Sequence, residues 1–201
     1  MYFDLRKYII AVSLTALIWI MALTSFGSIP VLGVDVTLLC IPIILGTCAL
    51  GLSYGLFLGL MFALTSLFMA LMGRPVALLA PLLNFPLEMY LTIFIPRLLI
   101  PVFTWLVFKA TTNWKAVFSY GISTIVGSFA NTLLFLGFAY ILGSDALTEA
   151  YQMSNSKLLA ALGDIVLSNG LLEVLVALIV CTPALLLLNK TLAGHGEPSK
   201  Q

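Results

Sequence analysis

The feature that most constrains this chain is a series of apolar runs, each close to the length a helix needs to cross a bilayer. A span takes about 20 mostly apolar residues. Six segments meet that measure: 8–26, 36–52, 54–72, 92–109, 116–142 and 165–188. In hydrocarbon every backbone N–H and C=O must find a partner within the protein, so such runs fold as helices. The predicted fold is an all-α integral membrane protein with six transmembrane helices in residues 1–189. A polar cytoplasmic tail, 190–201, is expected to be disordered. Composition agrees, since 62% of the 201 residues are hydrophobic and 8% charged, whereas a soluble domain is about one-quarter charged. The second and third runs are separated only by "GLSYG" and should form a tight helical hairpin. The fifth is long enough to tilt. The first run is too long for a signal peptide and no A-x-A site follows it, so it is expected to stay in the mature chain.

Short loops rich in lysine and arginine face the cytoplasm. With the N terminus inside, Arg6, Lys7, Lys109, Lys115, Lys190 and Lys200 fall on that side. Arg74 and Lys157 fall outside, with Asp35, Glu88, Asp145, Glu149 and Asp164. Both termini are therefore expected in the cytoplasm. Two outward connections are long, 73–91 and 143–164. The first reads "GRPVALLAPLLNFPLEMYL", and Pro75, Pro81 and Pro86 prevent a single regular helix there. It is too apolar for open water, so it either packs back over the bundle as a lid or lies in the headgroup region.

Several function classes drop out. A net charge of +1 without a basic block gives no sign of nucleic acid. Cys40, Cys48 and Cys181 lie inside apolar runs without redox or zinc spacing and read as small core residues. No GxxxxGK[ST] motif is present, so energy for transport would come from an ion gradient or another subunit. The single histidine, His195, lies in the polar tail, which leaves no intramembrane histidine for a metal site or a Ser–His pair. The chain is expected to be no enzyme and to carry no cofactor.

Polar residues inside spans are rare and face a bundle interior or a cavity. Arg97 is the sharpest case: it stands in "TIFIPRLLIPVF", residues 92–103, with no acidic residue within eight positions. By the predicted spans it lies about 8 Å below the outer surface, at 1.5 Å per residue. Asn131, Asn169 and Glu173 come from two further spans and fall in the same outer half, and Asn84 is placed to join them from the 73–91 loop. The guanidinium fork matches a carboxylate or phosphate, and asparagine offers both donor and acceptor. The set suits a small, polar, anionic metabolite entering from outside. The competing internal reading pairs Arg97 with Glu173 and uses the asparagines to tie helices together. Phe85, Tyr90 and Phe94 are available near this level should a flat ring need stacking.

Small residues mark two faces. Gly51, Gly55, Gly59 and Ala63 recur every four residues, a spacing that lets helix backbones approach closely. Ala11 and Thr15 form a second small face on the first span, fit for internal packing or for a partner membrane protein.

The segments "IPIILGTCALGLSYGLFLGLMFALTS", "IPRLL", "ANTLLFL" and "NGLLE", in this order, resemble the substrate-binding S components of energy-coupling factor (ECF) vitamin transporters. The resemblance runs from Ala11 to about Pro183 and is strongest to pantothenate-specific members. It implies a bacterial cell-membrane protein that binds a vitamin from outside, docks on a membrane-embedded T subunit and topples to deliver its ligand inward. Two separate ATPase subunits would supply the energy. It also implies docking through an A-x-x-x-A face, for which Ala11 and Thr15 stand at the right spacing, with threonine replacing the second alanine. Arg97 would hold the carboxylate, while Asn131, Asn169, Asn84 and Glu173 complete the substrate set. Folate, cobalamin or riboflavin are the other candidate ligands. A stand-alone secondary carrier and a membrane assembly factor are the competing classes; the first expects an inverted repeat and midplane ionisable groups, of which only Glu173 is a candidate.

Overall fold

The computed structural model describes residues 5–24, 27–31, 34–73 and 77–193. Among these, the chain runs through α1 (Leu5–Leu23), a hairpin of β1 (Ser28–Val31) and β2 (Val34–Thr37), α2 (Cys40–Leu50) and α3 (Leu52–Leu71). Two short 3-10 turns (Ala77–Leu79 and Pro81–Asn84) lead into α4 (Pro86–Ala110), then α5 (Ala116–Tyr151) and α6 (Asn155–Ala193). Five of these helices are long and apolar enough to cross a membrane.

The exception is α2. Its 11 residues rise about 16 Å, half the hydrocarbon thickness. The expected span at 36–52 is therefore corrected: its first residues belong to β2. The stretches "SIPV" and "VDVT" are rich in β-branched residues that suit a strand, and they pair antiparallel with Ser28 opposite Thr37 and Val31 opposite Val34. What α2 lacks in length it makes up in burial. Every residue from Cys40 to Cys48 is buried, and α1, α3, α4, α5 and α6 all pack against it. A helix apolar on every side needs such a place. Cys40, Cys48 and Cys181 lie in this core as free thiols.

Gly51, at φ +98, turns the chain between α2 and α3 and packs against nothing. Gly55 and Gly59 do the packing expected of the glycine row. A Cβ on Gly55 would meet the Pro101 ring and the Thr47 side chain, and one on Gly59 would sit 2.5 Å from the Arg97 carbonyl oxygen. The close approach is thus between α3 and its neighbours α2 and α4 in the same chain.

At the opposite end from Gly51, the expected loop 143–164 is overturned. α5 continues to Tyr151 and α6 begins at Asn155. The segment is amphipathic: Ala146, Leu147, Leu158 and Leu162 are buried, while Asp145, Glu149, Lys157 and Asp164 are exposed. Buried leucines hold the two helices together beyond the length a bilayer requires, and Gln152 reverses the chain in the left-handed region (φ 51). Of the 73–91 segment, the described part from residue 77 packs back on the bundle, through Leu79 and Leu82 against Ala63, Met89, Ile93 and Ala146. Arg74 and Pro75 lie outside the described residues. So does the tail beyond Ala193, with His195 and Lys200; residues 190–193 continue α6.

Candidate functional site

α4 starts at Pro86, six residues before the expected edge of its span, so Arg97 lies about midway along the helix. It is 4% exposed. Its guanidinium lies between two aromatic faces, 4.3 Å from the centre of the Phe135 ring on α5 and 5.1 Å from that of Phe62 on α3. Nη1 donates to the Thr92 carbonyl oxygen at 3.1 Å. Among the described residues, Nε finds no hydrogen-bond acceptor, and the Thr92 hydroxyl, also fully buried, has no partner. No carboxylate among the described residues is ion-paired with the guanidinium. The cation is therefore caged by π-faces and one carbonyl.

Glu173 on α6 is 3% exposed and serves a different group of neighbours. Its Oε1 accepts the backbone N–H of Thr37 at 2.8 Å. Its Oε2 accepts the Asn131 amide at 3.4 Å and the Thr132 hydroxyl, both from α5. Arg97 and Glu173 attract each other electrostatically across the bundle but share no hydrogen bond or ion pair. The internal Arg97–Glu173 pair is thus not formed.

The Thr37 contact explains how a strand tolerates this depth. Non-helical backbone is accepted within a membrane protein only where it is buried in protein or lines a cavity, with its polar groups satisfied. Here the carboxylate supplies the acceptor, and the hairpin reaches down to the middle of α6. Asn169 is buried one turn before Glu173 on the same face of α6. Asn131, Asn169 and Glu173 are therefore brought together, with Arg97 joined to them through Phe135, which stands one helical turn after Asn131.

Asn84 is not part of this cluster. It is exposed at the end of the second 3-10 turn, where Leu82 takes the inward position. Nor are Phe85 and Tyr90, which are 43% and 42% exposed; Phe94 packs in the apolar cluster beneath the 77–84 turns. The rings that meet the cation, Phe62 and Phe135, went unread in the sequence, as did Thr132 and Thr37. Thr132 adjoins Asn131, and the Arg97 cage has one local signal, Pro96 standing four residues after Thr92.

Ala11 is buried and Thr15 half-buried. They line an open apolar groove of about 540 Å³ between α1 and the start of α3, with Tyr8, Val12, Ser53 and Phe57 among its walls. The Thr15 hydroxyl donates to the Ala11 carbonyl at 2.8 Å, within its own helix.

The sequence matches the family described as "ECF transporter, substrate-specific component" over residues 6–185. It is 32% identical over 155 residues to the Pantothenic acid transporter PanT of Lactococcus lactis subsp. cremoris (strain MG1363), covering 73% of this chain and 74% of that relative. The match reaches all six helices and the polar cluster between them, so the chain belongs to the substrate-specific components of ECF transporters, multi-pass proteins of the cell membrane.

Proposed function

We propose that this chain is the vitamin-specificity subunit of an ATP-driven ECF importer, binding pantothenate from outside and delivering it inward by toppling against a T subunit. ATP is hydrolysed on two separate ATPase subunits. The observation that carries the choice of ligand is the Arg97 guanidinium, which is buried, held by one backbone carbonyl and left with Nε unpartnered among the described residues. Burying a charge without a counter-ion is costly, and an entering carboxylate removes that cost with charge-assisted, fork-shaped hydrogen bonds. Pantothenate has one carboxylate, an amide and two hydroxyls. Arg97 takes the carboxylate, Asn131 and Asn169 take hydroxyl or amide groups, and the buried Thr92 hydroxyl is a further partner. The relative named as a pantothenic acid transporter supports the same vitamin.

In this reading Glu173 stands behind the site, orienting Asn131 and Thr132 and holding the hairpin over the ligand. The 77–84 turns cover the neighbouring end of α3, α4 and α5. Both termini face the cytoplasm, which puts Lys7, Lys109, Lys115 and Lys190 on that side. The α1–α3 groove is the docking surface for the T subunit: with its hydroxyl turned onto the Ala11 carbonyl, Thr15 behaves as a small apolar residue there.

The test is calorimetric titration of the purified chain against pantothenate, riboflavin, folate and cobalamin, repeated with Arg97→Ala. Tight binding of pantothenate alone, lost in the variant, is expected. Binding of another vitamin instead overturns the ligand, and binding that survives the substitution makes Arg97 structural.

A further inference from the structure

We infer that Pro96 is a positioning residue for the anion site: by lacking an N–H, it leaves the Thr92 carbonyl free to hold the Arg97 guanidinium. This rests on the reading that Arg97 receives the ligand's carboxylate.

In an α-helix the N–H of each residue bonds the carbonyl four positions before it. α4 carries two prolines in its interior, Pro96 and Pro101, and each removes one such donor. The carbonyls deprived are those of Thr92 and of Arg97 itself. Neither deprived oxygen faces empty space. The Thr92 oxygen accepts Nη1 of Arg97 at 3.1 Å, a bond that reaches back five residues along the same helix. The Arg97 oxygen lies against Gly59, where a Cβ would come within 2.5 Å.

The two prolines therefore strip the turn that bears the arginine at both ends, with different results. Pro101 leaves a carbonyl against which α3 packs closely. Pro96 leaves one that grips the guanidinium. Phe62 and Phe135 bring their ring faces to that group, and the Thr92 carbonyl holds its Nη1 end, which leaves the Nε edge without an acceptor among the described residues. With an N–H at position 96, the Thr92 oxygen would point along the helix axis to a backbone donor and compete for the guanidinium.

The test is Pro96→Ala, read in two ways. In calorimetry the variant is expected to bind pantothenate about tenfold more weakly, the worth of one hydrogen bond to a charged group. Its affinity for the analogue with an alcohol in place of the carboxylate should stay as in the wild type. Without ligand, protein labelled with 15N-arginine carries only Arg6, Arg74 and Arg97. The Arg97 Nη signals, separated by held rotation in the wild type, should merge in Pro96→Ala and stay separate in the control Pro101→Ala. Unchanged Arg97 signals in Pro96→Ala overturn the inference, as does an equal loss for acid and alcohol. If the wild type binds no pantothenate, the proposed ligand fails, while the arginine signals still decide the role of Pro96.

Discussion

The carboxylate of Glu173 accepts the backbone N–H of Thr37 at 2.8 Å, tying α6 to a hairpin 136 residues earlier in the chain. A two-stranded hairpin is marginal alone, so its position depends on what anchors it. Glu173 also holds Asn131 and Thr132, which makes it the junction of the hairpin, α5 and α6.

Glu173→Leu keeps similar bulk but strands these donors. Leaving a buried donor unsatisfied costs about 1–3 kcal/mol, and side chains on α5 can turn away while the Thr37 N–H cannot. A loss of about 2 kcal/mol is expected, with Glu173→Gln in between because its amide oxygen still accepts one bond. Thermal unfolding in detergent measures the order; a leucine variant as stable as the wild type removes the junction role.

Arg97→Lys preserves the charge but not the planar fork or its fit between Phe62 and Phe135. Pantothenate affinity should fall about a hundredfold, the loss of a second charge-assisted hydrogen bond together with stacking. Phe135→Leu removes only one ring face and should cost about tenfold. Titration calorimetry ranks the two, and a lysine variant that binds as tightly as the wild type rules out fork-shaped recognition.

Glycines separate into packed and unpacked positions. Gly59→Ala drives a methyl into the Arg97 carbonyl oxygen and should destabilise by about 1–3 kcal/mol. Gly163→Ala, with nothing within 4 Å of the new Cβ, should instead stabilise α6 by up to about 1 kcal/mol. Melting temperatures that move the same way for both would refute this account of the α3–α4 contact.

The α1–α3 groove gives a prediction that binding and transport come apart. Tryptophan at both Ala11 and Thr15 fills the groove, so uptake by vesicles holding the complete transporter should vanish while the purified variant still titrates pantothenate. Uptake at the wild-type rate would show that the T subunit docks elsewhere.

Helices were legible wherever the signal was local. Length and apolarity placed α1, α3, α4, α5 and α6 to within a few residues at most of their ends, and the unaccompanied Arg97 stood out by its charge. The amphipathic ends of α5 and α6 carry charges at 145, 149, 157 and 164 that look like loop residues until the leucines between them are seen to face each other. Depth along the chain groups Asn84 with the site, but a 3-10 turn has room for one inward residue, and Leu82 takes it.

By itself the sequence determined that this is a bundle of apolar helices with one cation buried in it, because transfer into lipid depends on each segment's own composition and length. It also determined which carbonyls of α4 would lack helical donors, since the position of a proline names them directly. Only the tertiary structure decided what meets those groups. The partners of Glu173 come from β2 and α5, and the rings around Arg97 come from α3 and α5. Such contacts depend on helix rotation and relative height, which are set by how side chains of the whole bundle interlock and leave no trace in the spacing of any one segment.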